Sequence, residues 1–373
     1  MTFPKTFLKS LRLTRLVRKT RDYAIIALDN LGGLFFSFFR ISQQKEFVKD
    51  PKNILVVRLD GIGDVILTTP AIRALRQGYH NAKIEALVNE YTKPMLVGNP
   101  YIDRVIIYGR DRLAKHYDMA IAFSQGFKSN FAVFCSKSKY RFGYSGHGGS
   151  FLLNYKIKDD RQVRFSHEID FALSLAFLAG GKAEDKELDV FESEESAIFV
   201  HNYFQKNKLS KRFAVVHPGS RQDYIRWPKD RFALLCDLLI KECKLDVILI
   251  GARQEKSLLE EVSSLMKEKC LIVYKFELKQ IISLIKRCAL FVGNSSGPMH
   301  IAAALKIPLV AIFGSKHPLD SSSAWGHRGR KQVVVEKDAF CHDCHPGDCF
   351  DYKCMDNITV SEVFDACKKI TEN

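Results

Sequence analysis

Short apolar runs and longer amphipathic stretches alternate along the chain from residue 53 onwards. The apolar runs favour buried strands, and the stretches between them have the three-to-four-residue spacing of helices. In the first half this pattern predicts strands at 54–59, 84–88, 105–108, 119–123 and 140–143 and a helix at 167–178. In the second half it predicts strands at 213–216, 247–250, 271–274, 290–292 and 309–313, and helices at 231–242, 256–269, 278–288 and 298–305. Thr69 and Pro70 predict the start of a further helix, as its cap and first-turn proline.

Strands that alternate with helices predict an α/β fold, with parallel sheets that carry helices on both faces. The chain has 373 residues, of which 46% are hydrophobic, and this is enough for two domains with separate cores. A polar, acidic stretch at 182–195 follows Gly180 and Gly181 and marks the predicted boundary. We therefore expect an extension at 1–52, a Rossmann-like domain at 53–190 and a second one at 191–373.

The first 52 residues differ from the rest in charge. Seven Lys or Arg residues precede the first acidic residue, Asp22, within a chain of formal net charge +15. Residues 23–40 are aromatic and apolar, but Asp29 and a glycine pair make the stretch too short and too broken to span a membrane. It also lacks the cleavage site of a secretory signal. A basic, aromatic segment predicts contact with an anionic membrane surface. The alternative is that its phenylalanines pack on the protein itself or pair two subunits.

The first glycine-rich turn contains Gly61 and Gly63, follows the predicted strand 54–59 and is followed directly by Asp64. A dinucleotide fingerprint would need a third glycine at position 66, where the chain has Ile66, so the turn is weak support for an NAD-dependent oxidoreductase. Asp64 has two interpretations. It is a carboxylate held at the mouth of a cleft, or it caps the helix that follows.

A second candidate loop, 217–221, follows the predicted strand 213–216 and leads to Arg226 and Trp227. Glycine lets the backbone approach an anion, the hydroxyl of Ser220 is a donor, and the guanidinium of Arg226 suits phosphate oxygens. Arg221 adds a further positive charge to the loop. The loop therefore predicts a diphosphate site. The alternative is a surface loop with solvated arginines, in which Trp227 packs beneath the next helix.

The second glycine-rich turn, 293–298, places Ser295, Ser296 and Gly297 at the start of a predicted helix, where free amides and the helix dipole favour anions. His300 lies one turn later and is either a phosphate donor or a core histidine. The two turns are about half the chain apart. Because ligands of open α/β sheets lie beyond the carboxyl ends of the strands, we expect two halves that face one cleft, with a donor on one wall and an acceptor on the other.

The chain has 10 cysteines. Six of them lie singly in helical or apolar stretches, which predicts buried free thiols: Cys135, Cys236, Cys243, Cys270, Cys288 and Cys367. The other four, Cys341, Cys344, Cys349 and Cys354, form a cluster, and four thiolates can hold zinc. Their spacing is not that of a standard zinc site, so reduced thiols or a local disulfide remain the alternative. No Asp-x-Asp pair lies at a strand end near the predicted donor-binding loops, so no metal ion that chelates the donor is required.

Five segments, in this order, resemble glycosyltransferase family 9, the ADP-heptose:lipopolysaccharide heptosyltransferases. They are VVRLDGIGDVILTTPAIRALR from residue 56, HPGS followed by RWP, ILIGARQE from residue 248, GNSSGPMHIAAAL from residue 293, and the cysteine cluster that ends in CMDNIT. The resemblance covers most of the chain from about Asn53 to Cys367. It implies the GT-B architecture, with an acceptor domain followed by a nucleotide-sugar donor domain that includes the cysteine-rich segment 341–354.

The resemblance also implies an activity and the residues that carry it. The activity is inverting transfer of a sugar, expected to be heptose, from a nucleotide diphosphate, expected to be ADP, to a lipopolysaccharide core acceptor. The family aspartate that acts as general base matches Asp64, and the carboxylate that accepts from the nucleotide ribose matches Glu255. Donor diphosphate binding falls on Ser220 and the nearby basic loop, and on Ser296, Gly297 and His300. No metal or other cofactor is expected, and the enzyme is expected at the cytoplasmic face of the bacterial inner membrane.

Two departures from the family pattern concern the substrate. Many relatives carry Asp at the position of Ser295, and some carry Lys at the position of Ile225, where Arg226 supplies a charge from next door. The alternatives are therefore a family glycosyltransferase that uses another sugar or surface glycan, and an inactive scaffold that binds nucleotide or lipid. Nucleic-acid binding would rest on net charge alone, without the aromatic and basic ribbon that it requires, and we do not expect it.

Overall fold

The computed structural model describes residues 32, 50–114, 116–161, 166–207, 212–314, 317, 320–327, 329, 331–337, 349 and 353–371. It contains two six-stranded sheets. The first has strands β1 Asn53–Arg58, β2 Lys83–Val88, β3 Arg104–Ile107, β4 Met119–Ala122, β5 Tyr140–Ser145 and β6 Tyr155–Lys158. The second has strands β7 Phe213–His217, β8 Asp246–Ile250, β9 Leu271–Val273, β10 Leu290–Asn294, β11 Leu309–Phe313 and β12 Gln332–Glu336.

Helices connect the strands in both halves. The first half and the linker contain α1 Ile62–Gly78, α2 Phe127–Cys135, α3 Glu168–Leu178 and α4 Glu194–Asn207. The second half contains α5 Lys229–Lys241, α6 Lys256–Leu265, α7 Leu278–Lys286, α8 Gly297–Ala304, α9 Ser322–Trp325, α10 Lys353–Asp356 and α11 Val360–Thr371. Short 3-10 helices lie at Glu90–Met95, Ser150–Leu152, Asp223–Ile225 and Arg253–Glu255.

The two sheets have the same topology. Their strand orders are β3-β2-β1-β4-β5-β6 and β9-β8-β7-β10-β11-β12, and neighbouring strands are parallel throughout. The predicted α/β fold with two Rossmann-like sheets is therefore confirmed. The chain direction across each sheet reverses between β1 and β4 and between β7 and β10. These are the topological switch points, where open α/β sheets hold their ligands.

The start of α1 differs from the prediction. The helix begins at Ile62, and Pro70 lies inside it, so the expectation that Thr69 and Pro70 open the helix is wrong. Proline has no N–H to donate to the carbonyl four residues earlier, which is that of Ile66. The hydroxyl of Thr69 donates to this carbonyl at 2.7 Å. A side chain therefore replaces the missing backbone donor, and the helix continues through the proline.

Two edge strands and five helices were not predicted individually. Alternate residues of β6 are exposed, and β12 is half-buried along its whole length, so neither has the apolar run that identifies a central strand. The unpredicted helices are α2, α4, α11 and the two four-residue helices α9 and α10. Among these, α11 packs against α5, β11 and β12, which places the end of the chain on the second half.

The linker between α3 and α4 is held from both sides. Arg73 of α1 pairs with Asp185 and Asp189, whereas Glu192 pairs with Arg287 of the second half. The two halves also touch directly, because α1 packs against α8. The linker and these two helices therefore fix how the two sheets face each other. The predicted domain limits at 52 and 190 stay a prediction.

The extension at 1–52 lies outside the described residues, apart from Gly32 and residues 50–52. Within the part of the chain that the structure describes, no helix has both the length and the apolar character needed to cross a bilayer.

Candidate active site

The two predicted glycine-rich turns meet at the junction of the halves. α1 follows β1 with Gly61 as its N-cap, and α8 follows β10 with Ser296 as its N-cap, so both helices start at a switch point. A Cβ at Gly297 would lie 3.0 Å from Cβ of Ile62, and one at Gly63 would lie 2.5 Å from the ring of His300. A side chain at Gly63 would overlap the His300 ring, and one at Gly297 would be in tight contact with Ile62. The structure therefore brings the first turn of each helix into contact, as a shared crevice requires.

Asp64 lies in the first turn of α1, and its carboxylate is fixed through both oxygens. Oδ2 accepts from the backbone N–H of Gly61 at 3.0 Å, and Oδ1 accepts from Nη2 of Arg58 at 2.7 Å. The side chain is 25% exposed, so part of the carboxylate still faces solvent. Asp64 can therefore cap α1 and still present part of its carboxylate to solvent, so its two interpretations do not exclude each other.

Arg58, the last residue of β1, was missed by sequence reasoning. Its buried guanidinium binds Asp64, the carboxylate of Asp60 at 3.2 Å and the carbonyl of Phe123. Burial alone would lower the pKa of Arg58, but the charges of Asp64, Asp60 and Glu168 outweigh it, and the pKa is raised. The signal in the sequence is a charged residue at the end of an apolar strand, since a buried charge needs nearby partners.

On the opposite side of the crevice, His217 connects the second loop to Glu255. Nδ1 of His217 lies 3.0 Å from Oγ of Ser296, and Nε2 lies 3.5 Å from Oε2 of Glu255. Burial would raise the pKa of the Glu255 carboxyl, but the contact with His217 and the N–H of Ala252 lower it overall. His217 was named only as part of the loop, and it is the residue that joins the Glu255 segment to the Ser296 segment.

Gly219 is needed for this arrangement. A Cβ at this position would lie 2.0 Å from Oε1 of Glu255 and 3.0 Å from Nε2 of His217. Any side chain would displace Glu255. The glycine of the loop thus lets the backbone pass close to a carboxylate, whereas sequence reasoning expected it to approach an anionic ligand.

Asn294 and Ser220 hold the shape of loop 217–226. The buried amide of Asn294 donates to the carbonyl of Pro218 at 2.9 Å and accepts from the N–H of Trp227 at 3.0 Å. The hydroxyl of Ser220 donates to the carbonyl of Gln222 at 3.0 Å, and the Ser220 carbonyl accepts from Arg226 at 2.7 Å. Ser220 therefore orders the loop and orients Arg226. Trp227 is buried, as the alternative interpretation expected.

Arg221 is exposed at the tip of the same loop. Its charge affects the pKa of Tyr91, a residue of the first half. Tyr91 of the first half donates its hydroxyl to the carbonyl of Asp60 at 2.9 Å. Burial is the main reason that the pKa of Tyr91 is raised; Asp64 and Asp60 add to the increase, and Arg221 opposes it. One phenol thus lies within electrostatic reach of Asp64 and Arg221. The structure brings these two predicted residues of opposite halves to the same region.

His300 is a buried, neutral histidine. Burial lowers its pKa to about 3, and its Nδ1 lies 2.8 Å from Nε2 of His327, which is also buried. His300 therefore brings no positive charge to the crevice at neutral pH, and the core-histidine interpretation describes its surroundings. The ring of His300, a residue of α8, packs against Gly63 of α1 and so sets the spacing of the two helices.

A separate cavity of about 560 Å³ lies beside the linker, lined by His167, Lys186, Glu187, Lys306, His327 and Lys331 among others. It contains none of the predicted site residues. His327 is the link between it and the crevice, through the contact with His300. The residues that the sequence predicts for the site therefore lie outside this cavity.

The cysteines are placed as follows. Cys341 and Cys344 lie outside the described residues, and Cys349 and Cys354 are half-buried. In the described ranges, no group of three or more His, Cys, Asp or Glu residues is arranged to hold a metal ion. Of the six single cysteines, Cys236, Cys288 and Cys367 are buried as predicted, whereas Cys243 and Cys270 are only half-buried. Cys135 is exposed, so the expectation that it is buried is wrong. It lies on the solvent-facing side of α2.

Comparison with known proteins gives consistent results. The family model described as glycosyltransferase family 9 (heptosyltransferase) matches residues 109–347. The lipooligosaccharide heptosyltransferase 2 of Haemophilus influenzae is 27% identical over 300 residues, which are 71% of this chain and 84% of that protein.

Solved structures share the fold. A glycosyltransferase family 9 protein from Veillonella parvula superposes with a TM-score of 0.75 at 21% identity, over 86% of this chain and 97% of that one. The Escherichia coli ADP-heptose LPS heptosyltransferase II superposes with a TM-score of 0.69 at 24% identity, over 86% of this chain and 98% of that one.

Proposed function

The chain belongs to glycosyltransferase family 9, and on that premise we propose that it transfers heptose from ADP-heptose to a lipopolysaccharide core acceptor, with inversion at the sugar carbon. The names of its relatives support the sugar and the acceptor, since the most similar ones include lipooligosaccharide and ADP-heptose LPS heptosyltransferases. The observation that carries the proposal is the contact between the first turns of α1 and α8, which brings the Asp64 turn of one half against the Ser296 turn of the other.

In the proposed reaction Asp64 is the general base. It takes the proton of the acceptor hydroxyl while that oxygen bonds to the anomeric carbon. The bond between this carbon and the diphosphate oxygen breaks at the same time, and the electron pair leaves with the nucleoside diphosphate. Attack from the face opposite the leaving group inverts the configuration. Arg58 holds the carboxylate of Asp64 in one orientation throughout, and it is a positioning residue.

The second half would bind the donor and stabilise the leaving diphosphate. We assign this role to the amides at Ser295, Ser296 and Gly297 and to the guanidinium groups of Arg221 and Arg226, since fixed donors stabilise developing charge without reorganising. Glu255 would accept from the ribose. Ser220 supports Arg226, and His300 contributes as a neutral residue that spaces the two helices. The positive charge therefore comes from the arginines.

The decisive experiment is the Asp64→Asn variant. An asparagine oxygen can still accept from Gly61, so the helix cap is retained, but the base is lost. We expect donor binding within about twofold of wild type and transfer slower by about 10² or more. Donor binding is measured by calorimetry and transfer by mass spectrometry of the glycosylated core.

Asp60→Asn is the matched control. It removes a carboxylate that pairs with the same arginine, and we expect it to retain most of the transfer activity. Near-normal turnover by Asp64→Asn would leave this residue with the capping role alone. Donor binding without transfer by the wild-type enzyme, for every sugar nucleotide tested, would support the inactive-scaffold alternative.

We also propose that transfer requires no metal, because the charge on the diphosphate would be balanced by Arg221, Arg226 and the α8 amides. Activity is expected to survive incubation with EDTA followed by gel filtration. Loss of activity that added magnesium, zinc or iron restores would contradict this proposal, and metal analysis of the same sample would show whether the cysteine segment 341–354 is involved.

A lipid-linked acceptor requires the enzyme to work at a membrane surface. We propose that the protein is peripheral on the cytoplasmic face of the inner membrane. The support is the basic extension and the net charge of +15, since each Lys or Arg near an anionic leaflet favours binding.

A further inference from the structure

A continuous segment of the first half has basic residues and no acidic ones. Residues 119–158 contain no Asp or Glu, and their Lys and Arg residues are Lys128, Lys137, Lys139, Arg141, Lys156 and Lys158. In the fold this segment forms β4, α2, β5 and β6, which are consecutive at one edge of the first sheet. The positive charge is therefore collected on one side of the molecule.

The outer face of α2 is aromatic. Phe127 and Phe131 are 55% and 45% exposed, and their rings stack with centroids 5.6 Å apart. Exposed Cys135 continues the same line, one turn further on. The opposite face of the helix is buried through Ser129, Asn130, Ala132 and Val133. Large rings at a spacing of four, directed away from the core, form an apolar stripe that the fold itself does not cover.

Lysines surround this stripe. Lys128 lies over the ring of Tyr108, with Nζ 4.3 Å from the centroid, and Lys137 and Lys139 are exposed just after the helix. At the end of β6, the nearest carboxylate along the chain is Asp159, and it is bound by His147 and Arg161. The stripe and these lysines together are called here the aromatic–basic face.

The aromatic–basic face borders the crevice. Nζ of Lys128 lies 3.5 Å from Oδ1 of Asn89, and Nδ2 of Asn89 donates to the carbonyl of Leu59 at 2.8 Å. Leu59 lies between Arg58 and Asp60, beside the proposed base. A surface that covered α2 would therefore reach the mouth of the proposed acceptor site.

The basic extension is connected to the same side. Gly32, the one residue before Asp50 that the structure describes, lies against Phe151, since a Cβ there would be 2.7 Å from Cδ1 of that ring. Phe151 belongs to the 3-10 helix Ser150–Leu152, which packs on α2. Gly32, which follows the most basic stretch of the sequence, therefore lies next to a segment that packs on α2.

We propose that the aromatic–basic face docks on an anionic lipid bilayer, with Phe127 and Phe131 at the level of the headgroups and Lys128, Lys137 and Lys139 against lipid phosphates. Exposed aromatic rings flanked by lysines are the composition that favours this interface. Pairing of the face with a second copy would put lysines against lysines. The proposal rests on the proposed function, because docking here presents the crevice to a lipid-linked acceptor.

The test uses the full chain and vesicles of phosphatidylcholine with and without phosphatidylglycerol. Two double variants remove one component each: Phe127→Ser with Phe131→Ser, and Lys137→Glu with Lys139→Glu. We expect each to lower the partition coefficient on phosphatidylglycerol vesicles by about tenfold or more. Wild type is expected to bind vesicles of phosphatidylcholine alone much more weakly.

Matched controls carry the same changes elsewhere. Phe177 and Ile198 are 50% and 55% exposed, and their change to Ser is expected to leave binding unchanged, as is Lys267→Glu with Lys269→Glu. Wild-type binding by both test variants would overturn the proposal, because the extension alone would then account for attachment. A wild-type dimer without lipid that Phe127→Ser with Phe131→Ser dissociates would also overturn it in favour of self-association.

A second measurement does not depend on loss of binding. Phe131→Trp places a fluorophore in the face, and brominated phosphatidylglycerol vesicles should quench it, whereas Phe177→Trp should be unaffected. No quenching at position 131 would contradict the proposal. An assay of sugar transfer to a delipidated core oligosaccharide distinguishes failure of the proposed function from failure of the docking proposal. If the wild-type enzyme does not transfer sugar to this acceptor, the proposed function is wrong. If wild type and all variants transfer sugar to it, the vesicle-binding measurements alone decide whether the aromatic–basic face docks on lipid.

Discussion

At the scale of single residues, the candidate site is built from side chains that perform two tasks each. Asp64 caps α1 through Gly61 and is also the proposed general base, with part of its carboxylate exposed. Ser220 shapes its loop and orients Arg226. A structural contact of this kind keeps a functional group in one rotamer before substrate binds, which reduces the entropy that binding must remove.

Gly219 gives a sharp test at this scale. Alanine there would push Glu255 away from His217, because its Cβ would overlap Oε1. We expect Gly219→Ala to weaken donor binding by about tenfold, the effect of one lost charge-assisted hydrogen bond, with a small change in stability. The measurement is donor affinity by calorimetry.

The control is a double-mutant cycle with Glu255→Ala. Once the carboxylate is absent, Gly219→Ala should have no further effect on donor affinity. If the two effects add, the glycine acts on the donor directly and the assigned role of Glu255 is wrong.

At the scale of elements, α1 shows how a side-chain hydrogen bond carries a helix through a proline. Pro70 should end or kink a helix, yet α1 runs from Ile62 to Gly78. The Thr69 hydroxyl donates to the carbonyl of Ile66 and accepts from the backbone N–H of Asp189 in the linker at 2.9 Å. One hydroxyl therefore repairs the helix and ties it to the linker.

Thr69→Val retains the shape of the side chain and removes both hydrogen bonds. We expect it to lower the free energy of unfolding by about 2 kcal/mol, since two buried backbone groups lose their partner. Thr68→Val is the control, because the Thr68 hydroxyl only adds to a carbonyl, that of Asp64, which the helix already satisfies. Urea denaturation of the three proteins measures the difference, and equal midpoints for both variants would contradict the role given to Thr69.

At the scale of the whole molecule, the two halves meet through a layer of buried histidines. His300 contacts Gly63 of the first half and His327 of the second, and the His327 ring lies 5.6 Å from that of His167. Burial lowers the pKa of all three. Because burial favours the neutral forms of these histidines, protonation opposes the packing of this layer.

This layer predicts acid sensitivity. A histidine whose pKa is lowered on folding contributes its full stability above about pH 6.5, the unfolded value, and loses it as the pH falls towards the folded value of about 3 for His300. Each such histidine contributes a slope of about 1.4 kcal/mol per pH unit in that window. The stability of His327→Gln should therefore fall less steeply below pH 6 than that of wild type.

Chemical denaturation at a series of pH values between neutral and moderately acidic measures this slope. His80→Gln is the control, because His80 is exposed at the end of α1. Parallel curves for wild type and His327→Gln would contradict the role of the histidine layer.

The amino-acid sequence by itself determined the order of the central strands along the chain, the positions of both glycine-rich turns, and the family. A buried central strand such as β11 has an apolar pattern of its own, and it was predicted with its observed bounds, Leu309–Phe313. Only the tertiary structure decided the start of α1, the edge strands β6 and β12, the exposure of Cys135, and the burial of His300. It also identified Arg58 and His217. The physical reason is that burial and contacts depend on segments far away in the chain, as those of His300 with Gly63 and of His217 with Glu255 do. The start of α1 depends on the Thr69 hydroxyl, which replaces the donor that Pro70 lacks. The periodicity of apolar residues indicates which face of a helix or strand is buried, but it does not indicate which other segment packs against that face.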